Sequence, residues 1–132
     1  MRITGFYAAI AALLIVIFAV RVTLRRRVLK VGIGNGGDAV LAQRIRVHAN
    51  AVEYLPLALL LLLLLELNQT VPILLHIFGC LLLAGRLLHA WGLSSSPGIT
   101  PGRGFGMALT WGVIFAMALL LLWQALAVWI LT

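Results

Sequence analysis

Between Phe105 and Leu131 the chain runs for 27 residues without a charged side chain, and between Ile3 and Val20 for 18. A helix needs about 20 apolar residues to cross the hydrocarbon core of a bilayer, so both stretches are long enough. The Leu-rich block after Pro56 is a third candidate. The fourth is "VPILLHIFGCLLLAG", residues 71–85, which continues through Arg86 to Leu93. Membrane barrels need strands that alternate apolar and polar residues, which these blocks lack. The fold class is therefore an all-α integral membrane protein, a bundle of four transmembrane helices. The expected spans are residues 3–24, 41–67, 71–93 and 105–131 of a single membrane domain over 1–132. An apolar block behind Met1-Arg2 can be a cleaved signal peptide. No small-x-small site follows it, only "VRVTLRRRVLK", so a retained first span is expected.

Orientation follows from the ten basic residues. A net charge of +7 suggests nucleic acid until its distribution is considered. Arg21, Arg25, Arg26, Arg27 and Lys30 follow the first span, and Arg44, Arg46, Arg86 and Arg103 lie at span ends facing the same side. Arg2 alone occupies the other side. The positive-inside rule then makes the first and third connections cytoplasmic and puts both termini outside. The Arg25–Arg27 cluster needs no role beyond this signal and contact with anionic membrane lipids.

The first connection, "KVGIGNGGDAV", is a glycine-rich turn. No Lys-Ser/Thr pair follows and no βαβ unit can surround it, so it is not a phosphate-cradling loop. Asp38 is placed to cap the second helix. "SSSPGITPGRG" has turn chemistry throughout and ends at the last span. The single Cys80 excludes an internal disulfide and reads as a small buried hydrophobe. His48, His76 and His89 are scattered, with no metal-ligand spacing, so no metal is expected. His76 near the outer end reads as a satisfied structural residue.

The second span is too short by hydropathy alone. Tyr54 to Leu65 is 12 uncharged residues, about 18 Å at about 1.5 Å each, against a core about 30 Å thick. If Glu66 and Asn68 mark the outer interface, the inner part must come from "RIRVHANAVEYLP", residues 44–56. Glu53 then lies inside the membrane, where facing lipid would cost several kcal/mol. Arg46, Asn50 and Glu53 form one helical stripe, with Arg44 and His48 on a second. Pro56 leaves the Val52 carbonyl without its usual donor. Arg86 and His89 are one turn apart on the third span, and Arg103 begins the fourth. Polar residues of three helices thus converge at one depth. An ion pair between Glu53 and Arg46 or Arg86, merely joining helices, is the plainest use. Up to four arginines (46, 86, 103 and 44) around one carboxylate leave positive charge that suits an anion, and guanidinium forks suit carboxylates.

"RVHANAVEYLP" resembles the second-helix signature of the MAPEG family, the membrane-associated proteins in eicosanoid and glutathione metabolism. "AGRLLHAWG" looks like the family's third-helix pattern, and four spans match along essentially the whole chain. The resemblance implies a homotrimer binding glutathione between neighbouring subunits near the cytoplasmic side. On matching positions, Arg46, Asn50, Glu53 and Tyr54 would hold the tripeptide from helix two, and Arg86 and His89 from helix three of the adjacent subunit. Arg103 resembles the arginine that stabilises the thiolate in catalytic members. Leu93 stands where many eicosanoid-making members have tyrosine, and Ala49 where some have a second arginine. Generic glutathione binding is therefore implied, rather than a specific eicosanoid activity. The expected function is a glutathione transferase or peroxidase acting on lipophilic electrophiles or hydroperoxides in the bacterial inner membrane. The alternatives are a non-enzymatic lipid-binding scaffold and a small proton-coupled exporter. The exporter needs a free membrane acid, and Glu53 sits among arginines.

Overall fold

The structure is a computed structural model that describes residues 2–96 and 98–131. It contains α1 (Arg2–Leu29), α2 (Ala39–Leu67), α3 (Pro72–Ser95) and α4 (Pro101–Leu131). All four are long and apolar enough to cross a membrane. They run longer than the apolar blocks because charged and small residues at the ends continue the helices. Of the two prolines in the third connection, Pro97 lies outside the described residues.

The helix ends are built by local chemistry. α1 stops in a Schellman arrangement at Lys30, whose φ is 55°. The Val31 amide donates to the Arg26 carbonyl at 3.0 Å and the Lys30 amide to that of Arg27 at 3.3 Å. Gln69, φ 58°, ends α2 the same way, with the Thr70 amide on the Leu65 carbonyl at 3.0 Å. The glycine-rich connection makes its turn with positive φ at Gly34, Gly36 and Gly37. Asp38 caps α2 as its position foretold: its Oδ1 accepts from the Leu41 amide at 2.6 Å. Its carboxylate also takes the Arg25 guanidinium at 2.6 Å, tying the end of α1 to the start of α2.

α2 packs against all three other helices. Leu41, Val47, Ala51, Leu55, Ala58, Leu62 and Leu65 are its buried face, spaced three, four or six residues apart. Pro56 is exposed, and the helix continues through it. α3 and α4 make the most extensive contact, and small residues meet along it. A side chain at Gly85 would meet Thr110, and one at Gly92 would meet Thr100 and the backbone of Gly102 and Arg103. Small residues let membrane helices approach where lipid offers no hydrophobic drive between them.

The end of the bundle remote from Arg86 and Arg103 carries polar clips of its own. Glu66 does more than mark an interface: its carboxylate accepts from the Ile3 and Thr4 amides at 3.1 and 2.9 Å, capping α1. Gln124 on α4 accepts from Asn68 at 3.0 Å and donates to Thr70 at 2.9 Å. The Tyr7 hydroxyl lies 3.0 Å from His76 Nδ1, so the structural role expected for His76 is realised. Cys80 departs from expectation. It is exposed on the flank of α3, with its sulfur 3.1 Å from the Tyr7 hydroxyl. In a bundle bathed in lipid, an apolar neighbourhood in sequence does not distinguish an inner from an outer face.

Candidate functional site

Arg86 organises the basic end of the bundle. It is 2% exposed and faces neutral partners. Its Nε donates to Thr110 Oγ1 at 2.9 Å, its Nη1 to Asn50 Oδ1, and its Nη2 to the Gly106 carbonyl at 3.4 Å. The guanidinium carbon also lies 5.4 Å from the Tyr54 ring centroid, within cation–π range. One side chain on α3 thus joins α2 and α4. Gly106 makes this possible, since a Cβ there would collide with the backbone of Gly85 and His89. Thr110 in turn donates to the Gly106 carbonyl at 2.8 Å.

The carboxylate is elsewhere. Glu53 Oε1 accepts from Arg46 Nη1 at 3.0 Å, and the two side chains are 45% and 55% exposed. Both belong to α2, so this pair joins no helices and the helix-joining reading of Glu53 fails. Arg86 takes that role instead.

Thr100 sets the position of Arg103. Its hydroxyl donates to the Gly92 carbonyl at 2.9 Å and accepts from the Arg103 amide at 3.3 Å. It therefore caps α4 and pins that helix start to α3. Arg103 stands in the first turn, beside a cavity of about 310 Å³. Arg46, Asn50, His89 and Arg103 line it with polar groups, and Leu93, Met107 and Trp111 give it an apolar wall. A second, open apolar hollow of about 430 Å³, with Pro101, Phe105 and Ala108, shares Ile99 and Gly104 with the first.

Four of the seven sequence-predicted residues, Arg46, Asn50, His89 and Arg103, therefore line one cleft. Arg86 and Tyr54 lie behind it through Asn50, and Glu53 reaches it through Arg46. Arg86 meets Asn50 and Tyr54 within one chain. One expectation is corrected. Arg44 turns away and donates to the Arg21 carbonyl at 3.0 Å, because two residues from Arg46 is about 200° around a helix. Thr100, Gly106 and Thr110 were missed. For Gly106 and Thr110 the signal was the small-residue spacing of Gly102, Gly106 and Thr110 at the start of α4, and for Thr100 it was a threonine directly before Pro101.

The profile of the MAPEG family matches residues 4–123, nearly the whole chain. The chain belongs to the MAPEG family. It is 39% identical over 121 residues to Inner membrane protein YecN of Escherichia coli strain K12, covering 92% of this chain and 91% of that protein. The same figures hold for Inner membrane protein YecN of Escherichia coli O6:H1 strain CFT073. In this MAPEG chain the second-helix motif differs in burial along its length: Asn50 is buried and the Arg46–Glu53 pair is half-exposed, while Arg46 and Asn50 both line the cleft.

Proposed function

We propose that this chain binds glutathione in the cleft at the basic end and offers its thiolate to lipophilic electrophiles or hydroperoxides, as a glutathione transferase or peroxidase. Family membership supports a role in glutathione or lipid metabolism. The carrying observation is the cleft itself: two partly exposed arginines, a buried amide and a buried imidazole from three helices converge on one space. Its volume lies at the lower end of the ~300–1,000 Å³ typical of small-molecule sites. Arg46 and Arg103 suit the two carboxylates of the tripeptide and its sulfur, and Glu53 beside Arg46 suits its ammonium.

The chemistry asks little of the protein. A cation near the sulfur stabilises the thiolate over a thiol whose ordinary pKa is about 8.5. The proton leaves to water and the sulfur lone pair forms the new bond to the electrophile, whose leaving group departs with the bonding pair. With a hydroperoxide the O–O bond breaks instead, the alcohol leaves, and a second glutathione converts the sulfenic acid to disulfide and water. Arg103 is the best-placed cation, because no acid pairs with it among the described residues. The adjoining apolar hollow gives a lipophilic co-substrate a way in from the bilayer.

Two wider features belong to the same reading. Arg46 and Glu53 are half-exposed on a spanning helix, where lipid contact would cost several kcal/mol. A neighbouring copy covering that flank, in a homotrimer, removes the cost. The basic end is cytoplasmic and both termini are outside, in an inner membrane like that named for YecN. The exporter reading loses ground because Glu53 is ion-paired. A lipid-binding protein without chemistry would use the same apolar hollow.

Calorimetry separates these readings. Saturable glutathione binding is expected, weakened by about 1–3 kcal/mol in Glu53→Gln through loss of a charged partner. Unchanged affinity in that variant would leave Glu53 as an anchor for Arg46 alone. No binding at all would leave the non-enzymatic reading.

A further inference from the structure

The three acidic side chains of the protein are all engaged: Asp38 with Arg25, Glu53 with Arg46, and Glu66 with the amides that open α1. The basic end of α1 and α2 is therefore left with surplus charge. Among the described residues Arg26 and Arg44 donate only to backbone carbonyls, those of Gly32 and Arg21. Among the described residues no hydrogen bond or ion pair engages the side chains of Arg21, Arg27 or Lys30.

One part of this surplus has a definite shape. The Arg44 bond to the Arg21 carbonyl ties α2 to α1 and sets both arginines at a shallow crevice with Ser94 of α3. Phe18 and Val47, 7% and 4% exposed, supply its apolar lining. The crevice is too shallow to enclose a solute, so a ligand must lie across its mouth. Leu13 and Ile17 precede Arg21 at four-residue intervals, placing all three on one stripe of α1. Those two side chains are 65% and 52% exposed. A cationic clamp above an exposed apolar stripe matches a molecule with an anionic head and a hydrocarbon tail.

We propose that Arg21 and Arg44, with the Ser94 hydroxyl, hold the phosphate group of an anionic membrane lipid whose acyl chain lies along Leu13 and Ile17. Guanidinium forks fit phosphate oxygens in pairs, and apolar surroundings raise the strength of such contacts. The crevice and the glutathione cleft lie on different sides of α2, so the lipid site stands whether or not the cleft binds glutathione.

The test titrates purified protein in a zwitterionic detergent with short-chain phosphatidylglycerol, phosphatidylcholine or inorganic phosphate, scoring bound species by native mass spectrometry. Phosphatidylglycerol should bind in preference to phosphatidylcholine. Arg21→Gln should weaken it about fivefold, as should Arg44→Gln, since each basic residue near an anionic lipid surface is worth about that factor. Arg27→Gln removes the same charge from the same helix end outside the crevice and should change affinity less than twofold. Arg21 makes no side-chain bond, so its replacement leaves the fold intact, and Arg21→Lys should restore most of the binding. Equal losses in the Arg21 and Arg27 variants would reduce the effect to diffuse charge and overturn the site. So would phosphatidylcholine binding as tightly, or inorganic phosphate displacing the lipid at equal concentration.

Discussion

Asn50 and Arg86 form the contact on which the cleft is built, and a double-mutant cycle measures it. Asn50 is 3% exposed and Arg86 2%, so the contact between them is shielded from solvent while both are present. Asn50→Leu keeps a branched side chain of similar outline but withdraws the α2 oxygen bonded to the guanidinium. A hydrogen bond to a charged group is worth about 1.5–3 kcal/mol, and the stranded donor adds to the loss. Arg86 retains Thr110 and the Gly106 carbonyl, so the bundle should still fold with a cost in that range. Arg86→Met removes the charge, leaves Asn50 unpaired and should cost a similar amount. The double variant leaves neither partner stranded, and replacing a buried polar pair by apolar groups is often nearly neutral. The two single losses should therefore exceed the double loss by about 1.5–3 kcal/mol. Equilibrium unfolding in mixed micelles of mild and denaturing detergent, followed by tryptophan fluorescence, reads all four corners of the cycle. Losses that add to within about 0.5 kcal/mol would refute the coupling and with it the role of Arg86 in joining α2 to α3.

Two further predictions concern the frame around the site. Gly106→Val puts a side chain against the backbone of Gly85 and His89 and should destabilise the bundle by more than about 3 kcal/mol, whereas Gly112→Ala meets nothing within 4 Å and should be neutral or slightly stabilising; the same unfolding measurement compares them, and equal effects would remove close α3–α4 contact as the cause. The carboxyl of Asp38 is held below its ordinary pKa by the Arg25 guanidinium first and the Leu41 amide second. Its folded value lies below the unfolded value of about 3.9, so the clip between α1 and α2 is fully present above that pH and is lost as pH falls through the lower folded value. The Leu41 amide resonance should therefore shift only below the usual carboxylate range, and an inflection near 3.9 would contradict the pairing.

Much of this architecture was legible in the sequence, for physical reasons that also explain the misses. Hydrocarbon imposes about 20 apolar residues per span, so the four helices stand out in a chain with thirteen charged residues. Helical periodicity placed Arg46 and Glu53 on one stripe, and they pair along it. What periodicity does not give is the azimuth of each helix within the bundle. Arg44 was grouped with the cleft and Cys80 with the interior, yet one turns toward α1 and the other lies on the outer flank. Glu66 and Gln124 were opaque for a different reason, since their partners lie 62 or 63 and 54 or 56 residues away. Gly102, Gly106 and Thr110 carried a readable signal, and their spacing is what lets Arg86 reach across α4.

The central claim, that the cleft binds glutathione and stabilises its thiolate, is tested most directly by the ultraviolet absorbance of the bound thiolate from pH 5 to 9. A guanidinium about 4 Å from the sulfur, at an effective dielectric near 20, interacts by about 4 kcal/mol, and the open side of the cleft screens much of that. A residual 1–3 kcal/mol lowers the thiol pKa by about 1–2 units from about 8.5. Wild type should therefore show thiolate below neutral pH, and Arg103→Ala should move the titration back toward that of free glutathione. A wild-type curve that overlays free glutathione, or one identical in the Arg103 variant, would contradict the account.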